Sequence, residues 1–263
     1  MPNRGICSIV LLGLGLIAAP ARAAPEEIQV YMDELNAPWE TGLDIHFNYV
    51  PSGLPGIDYE GEQASVNRFR YTPEFSLGLP GNFELGLYPP LGTIDREGRI
   101  AAHGVKGRLK WLGPVPKGAT WWWGANFEIG YEDKALSINP GNAEFKAILG
   151  GRFGRWTVAG NLNMDFVVAG SQPAPLSFDL DTRISYKLSK RLEIGVEAYD
   201  GFGTTRDFGA FAQSEQTVFA VVDVDVGGGW GVNFGVGLGF GANPDDVAVK
   251  AILSVPFSRR RRA

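Results

Sequence analysis

Polar and apolar residues alternate one for one along most of this chain. In Leu43-Asp44-Ile45-His46-Phe47-Asn48-Tyr49 every odd position is apolar and every even one polar. From Phe69 to Leu79 the pattern returns, with Phe69, Tyr71, Phe75 and Leu77 on one face and Arg68, Arg70, Thr72, Glu74 and Ser76 on the other. Successive side chains of a strand point to opposite faces, so each such segment predicts a strand with one greasy and one polar side. Twelve segments follow the rule: 42–50, 68–79, 83–89, 101–112, 120–131, 143–153, 156–168, 176–188, 192–199, 216–226, 230–240 and 247–257. Most approach the ~9–11 residues that a tilted strand needs to cross a bilayer.

The connections alternate in length. Pro80-Gly81-Asn82, Gly154-Arg155, Ser189-Lys190-Arg191 and Gly227-Gly228-Gly229 are tight, and 113–119 is somewhat longer. Between them lie polar loops at 51–67, 90–100, 132–142, 169–175, 200–215 and 241–246. Short turns on one side and long loops on the other predict an all-β, up-and-down antiparallel transmembrane β-barrel of about twelve strands, with the short side periplasmic.

Which face meets lipid is decided by charge. Asp, Glu, Lys and Arg are 20% of the chain, yet none falls on the predicted apolar faces. A charge facing lipid at mid-bilayer costs ~2–4 kcal/mol, which is the selection this absence implies. Aromatic residues band both ends of the apolar face. Trp111, Trp121, Trp123, Trp156 and Trp230 lie near the short turns, and Phe47, Tyr49, Phe69, Tyr131 and Phe240 near the long loops. A soluble barrel with its apolar face inward is the structural rival. The glycines Gly231, Gly235, Gly237 and Gly239 on the polar face suit a crowded lumen better than a solvated surface.

The chain's first residues follow a different logic. Arg4 precedes an apolar run from Ile9 to Ala19, then Pro20 and Ala21-Arg22-Ala23. This predicts a signal peptide over 1–23 cleaved near Ala23, the alternative being a membrane anchor. Cleavage removes Cys7, the only cysteine, and with it thiol chemistry. Losing Arg4 and Arg22 takes the net charge from −5 to −7, against a general nucleic-acid partner. Residues 24–41 then form a periplasmic or lumen-entering segment, 42–257 the barrel, and Ser258 to Ala263 a basic tail beyond Phe257. That places the chain in the bacterial outer membrane, with its lipids and the barrel assembly machinery as partners. Pro73, mid-strand without an N–H, predicts a bulge or kink in the second strand.

The stretch from Glu27-Ile28-Gln29-Val30-Tyr31 through Asn36-Ala37-Pro38 resembles an uncharacterised proteobacterial outer-membrane β-barrel family. That family is akin to the transporters assigned to the phenol meta-degradation pathway. Tyr71-Thr72-Pro73-Glu74-Phe75, Trp123-Gly124-Ala125-Asn126-Phe127-Glu128 and Gly241-Ala242-Asn243-Pro244-Asp245 strengthen the resemblance. It implies a barrel and suggests transport, and carries over no functional residue.

With the apolar face in lipid, the polar face lines the lumen. Arg68, Arg70, Lys106, Arg108 and Lys110 lie in the first half, while Asp179, Asp181, Glu193, Glu197, Asp223 and Asp225 come later. Sequence order is circumference order, so a basic wall opposing an acidic one is expected to orient a permeating small solute of unknown identity. Two alternatives stand beside this channel. One is a closed interaction barrel, sealed by salt bridges and acting through its extracellular loops. The other is a lipid-active enzyme built on an outward His103, for which the sequence nominates neither nucleophile nor orienting partner. The paired carboxylates Asp179/Asp181 and Asp223/Asp225 fall short of the six to eight oxygens Ca²⁺ requires, so no metal, cofactor or catalytic residue is expected.

Overall fold

The computed structural model describes residues 27–172, 175–209 and 214–257. Both the signal-peptide reading of 1–23 and the basic tail 258–263 lie outside these residues. Among the described residues, fourteen strands form one antiparallel sheet. They are β1 (Thr41–Ser52), β2 (Phe69–Leu79), β3 (Phe83–Tyr88), β4 (Gly92–Ile94), β5 (Ile100–Ala102), β6 (Gly104–Leu112) and β7 (Trp121–Glu132). The rest are β8 (Gly141–Phe153), β9 (Trp156–Ala169), β10 (Ser177–Lys187), β11 (Leu192–Thr204), β12 (Glu215–Gly227), β13 (Trp230–Gly241) and β14 (Val247–Val255). Pairing of β1 with both β2 and β14 closes the sheet. β3 and β4 run along the same partner, β2, and β6 and β5 continue them outward, so fourteen pieces make twelve staves.

The barrel is inside out relative to a soluble protein. Leu149 and Leu238 are each 62% exposed and Leu162 51%, whereas inward-facing Lys250 and Glu197 are 1% exposed and Asn161 is fully covered. A protein in water does not leave such a belt of apolar side chains outside while burying its charges; a hydrocarbon surround reverses both preferences. The aromatic bands are built as ring pairs across neighbouring strands, Trp111 against Trp123 and Trp156 against Tyr186.

Two strand expectations are corrected. Residues 101–112 do not form one uninterrupted strand, because the chain breaks at His103, and the loop expected over 90–100 carries β4 beyond a break at 89–91. Pro73 makes no bulge either: β1 and β2 stay in register through Ile45↔Pro73. On its other side Pro73 looks into the gap between β3 and β4, since β2 pairs β3 only from Phe75 and β4 only up to Tyr71. The missing N–H is therefore accommodated by interrupting the neighbour, a cheaper solution than bending the strand that carries it.

The glycines on the inner face make room. A Cβ at Gly237 would lie 2.7 Å from the Phe219 ring, which fills that space across the β12–β13 pair. Trp122 is likewise accommodated by Gly150 on the next strand, where a Cβ would lie 2.1 Å from its ring.

Candidate functional site

The lumen is not empty. Residues 27–40 leave β1 at the short-turn end and climb inside the barrel without joining the sheet. Trp39 N–H donates to Gly78 O at 2.7 Å and Gly78 N–H to Glu40 O at 2.9 Å. A Cβ on Gly78 would lie 2.3 Å from the Asn36 and Ala37 carbonyl oxygens, so this crossing needs glycine. Higher up, Asn36 donates through N–H and Nδ2 to Glu84, and through Nδ2 to Ser76. Arg152 grips the Asp33 carboxylate with two bonds of 2.5 and 2.7 Å, and Lys110 Nζ donates to Glu34 O at 2.9 Å.

Tyr31 is the hub at mid-height. Asn161 clamps its backbone from β9, accepting from Tyr31 N–H at 2.6 Å and donating to Tyr31 O at 2.9 Å. The pair of bonds imitates one rung of a sheet for a residue with no strand beside it. The Tyr31 hydroxyl donates to Glu128 and lies 3.0 Å from that of Tyr88. Arg108, Lys110 and Lys146 surround its ring, 5.0 to 5.5 Å from the centroid, a placement favoured by the negative π-face. Ile28 O accepts from Lys250 Nζ at 3.0 Å. Apolar contacts complete the seat. Val30 and Tyr31 pack with Trp122, Ile148 and Ala159, while Ile28 packs with Val50, Phe219, Val221 and Ala248.

The wall charges are paired locally, which corrects the expectation of opposed basic and acidic walls. Arg108 donates to Glu84 at 2.8 Å on the adjacent stave and to Glu74 at 2.6 Å one stave further round. Lys106 meets Glu128 at 3.0 Å. Among the later acids, Glu197 holds Arg183 at 2.7 Å and also bonds Lys250. Arg183 further bonds Asp223 and lies 3.6 Å from Glu193. Lys106, Arg108, Arg183 and Lys250 thus meet opposite charges inside the lumen, which weakens any field between a basic and an acidic wall.

The named lumen residues divide by height. Arg68 and Arg70 are buried towards the long-loop end, with Arg68 donating to Gln63 O. Asp179 and Asp181 line a chamber there, and Asp181 also accepts from Asn163 at 2.7 Å. Asp225 is exposed at the short-turn rim, where it accepts from Gly227 N–H. Lys110, Glu193 and Asp223 lie in the half nearer that rim.

His103 is a second correction. At the break between β5 and β6 it is turned inward, its side chain 11% exposed. Nε2 lies 2.8 Å from Thr93 Oγ1 and Nδ1 3.0 Å from Asp133. Both partners the sequence lacked are present, but Thr93 is fully covered. The contact of this buried hydroxyl with His103 ties the interrupted staves together. His46 faces the lumen, 3.2 Å from Glu74. With Glu27 the two bring ligand atoms within 4.8 Å of one another. Both Glu74 oxygens are already engaged by Arg108 and His46, which makes this an ion-pair network.

Above the segment, on the long-loop side, the lumen widens into a chamber of about 430 Å³. Its walls include Tyr59, Glu132, Glu144, Asp165, Tyr199 and Asp245, and Glu27 at the top of the inserted segment. Burial raises the Asp245 carboxyl above its ordinary range, although the Ser65 hydroxyl and the Arg68 guanidinium act to lower it.

A closed twelve-stave barrel with an apolar exterior and a polar, partly filled interior is the fold of an outer-membrane β-barrel. Among solved structures, the chain is similar to "KdgM porin" (12% identity, TM-score 0.56), with 82% of this chain and 99% of that one covered. It is also similar to the NanC porin (9% identity, TM-score 0.55), with 82% and 100% covered. At these identities the likeness shows the fold alone. No family model matches the chain, and no curated protein matches it in sequence.

Proposed function

We propose that this protein is an outer-membrane channel for small solutes, entered through the chamber at the long-loop end and closed at mid-height by residues 27–40. One observation carries the reading. Beyond its backbone crossing at Gly78, the inserted segment is held by side chains, chiefly Asn161, Lys110, Arg152 and Lys250, and contributes no strand to the wall. It can leave without opening the barrel, whereas a wall strand cannot. The similarity to porins supports passage as the use of such a barrel. The charge-lined lumen acts as the selectivity element in the chamber and in the passage vacated by the segment. In this reading the leader over 1–23 exports the chain, the assembly machinery inserts it, and the long loops face outward. Kinship with the phenol meta-degradation transporters belongs to the same proposal.

The seal itself favours a second reading, a closed barrel that acts through its loops. Planar-bilayer recording of the refolded mature chain separates them. Discrete current steps, made more frequent by deleting residues 24–39, support the channel. A barrel that stays silent after the deletion refutes it and leaves the loops as the working surface.

A further inference from the structure

The chamber has a strong chemical bias. Its lining carries eleven carboxylate side chains and three cationic ones, Arg70, Lys106 and Lys146. Lys106 is engaged by Glu128, and Lys146 by Glu144 and Asp181. The surplus is negative and enclosed by low-dielectric walls, which focuses the field on whatever enters. A second observation is independent of charge. Asn163 is 4% exposed and lines the chamber; its Nδ2 donates to Asp181, but its Oδ1 has no hydrogen-bond partner among the described residues. Glu27 Oε1, also on the lining, is likewise buried without a partner. Both are acceptors, so what they lack is a donor. A buried acceptor left unmet costs about 1–3 kcal/mol, and a ligand bringing N–H groups recovers it.

The lining also includes the ring of Tyr59 and the apolar side chains of Leu91 and Leu136, while the rings of Tyr199 and Phe219 there already face Lys250 Nζ at 5.6 and 5.5 Å. Carboxylates beside aromatic faces suit an ammonium carried on an apolar body, because a cation gains from both. A bare metal ion has no use for the apolar part. The volume falls within the range of small-molecule sites, roughly 300–1,000 Å³.

We infer that the chamber is a binding site for small organic cations, compounds that join a protonated amine to an apolar or aromatic body. The site takes its selectivity from the excess of carboxylates over cations across the lining and from the unmet acceptor of Asn163. This rests on the channel reading only for where the cation goes next; binding in the chamber stands without it. Because Glu27 belongs to the inserted segment, a bound ammonium touches the top of the plug.

The test uses the refolded mature chain in detergent micelles, titrated calorimetrically with phenethylammonium and with phenylacetate, which has the same ring and the opposite charge. Saturable binding of the cation with none of the anion is expected. Asp165→Asn should weaken it roughly fivefold through the lost charge, and Asn163→Asp should tighten it. Asp179→Asn serves if the first variant does not refold. Equal binding of both compounds, preference for the anion, or no binding of either overturns the proposal. Bilayer recording keeps it distinct from the channel reading. A silent barrel that still binds phenethylammonium refutes passage alone, and a conducting barrel that prefers anions refutes the cation site alone.

Discussion

Replacing Asn161 by Ala removes both bonds that hold the Tyr31 backbone. The Tyr31 N–H and C=O would stay in the lumen without protein partners, since no strand lies beside them. An unmet buried backbone group costs about 1–3 kcal/mol. Water entering the space vacated by the amide recovers part of this, leaving about 3 kcal/mol for the two together. At about 1.4 kcal/mol per tenfold, the balance between inserted and released segment moves roughly 100-fold towards release. The barrel wall is untouched, since Asn161 lies on the inner face and its strand keeps its ladder to β8 and β10. Two assays read the shift. In planar bilayers the fraction of time spent open rises by that factor until it saturates. In a Val30→Cys background, labelling by a water-soluble maleimide accelerates in parallel, because Val30 is 2% exposed while the segment is seated. The only native thiol, Cys7, lies in the segment proposed above to be a cleaved leader. The control is Asn163→Ala, one inward position along the same strand, whose amide bonds Asp181 and not the segment. If the two variants label and conduct alike, the clamp at Tyr31 does not hold the plug and the energetic argument fails.

Three further outcomes follow from the wall. Val236→Arg, on a position 43% exposed and facing lipid, should reduce the stability of the barrel in bilayers by about 2–4 kcal/mol. Asn233→Arg, beside Asp223 in the lumen, should cost far less; equal urea-unfolding midpoints for the two would refute the outward register. Arg108→Met leaves Glu74 and Glu84 buried without their shared cation and should destabilise the fold by about 3–5 kcal/mol, seen as a lower heat-unfolding temperature on gels; an unchanged temperature would refute the pairing. Pro73→Ala should be neutral within about 0.5 kcal/mol, because the regained N–H meets only the gap between β3 and β4; a clear gain in unfolding midpoint would show that a ladder bond had been missing.

The staves were legible in the sequence because lipid imposes one rule along every strand. Leu149, Leu162 and Leu238 must face out, and a period of two follows. All twelve predicted segments are staves, and their ends shift by a few residues where β11 runs on to Thr204 or where the chain breaks at 89–91 and 103. Those breaks were hidden because a three-residue strand such as β4 carries too little alternation to stand apart from a loop. Pro73 pointed to the right place and the wrong stave, since a missing donor says nothing about which strand adjusts. That the segment before β1 could enter the lumen was one of two readings open in the sequence, but how it is seated there was illegible for another reason. Residues 27–40 have no period, and the partners of Tyr31 are side chains 57 to 130 positions away. Asn161 looks like any polar lumen residue until something stands in front of it. Sequence order located the charges around the circumference but not along the axis, so the local pairing of Arg108 with Glu74 and Glu84 was out of reach.

The apolar clusters around Ile28, Val30 and Tyr31 place a fragment of ordinary protein interior inside a barrel whose outside is solvated by hydrocarbon. The two parts answer to different solvents, and hence to different thermal laws. Contacts between plug and wall form by excluding water, and that drive fades on cooling. The staves are held by hydrogen bonds whose alternative, in lipid, is no partner at all. Cold therefore loosens the stopper while leaving the bottle intact.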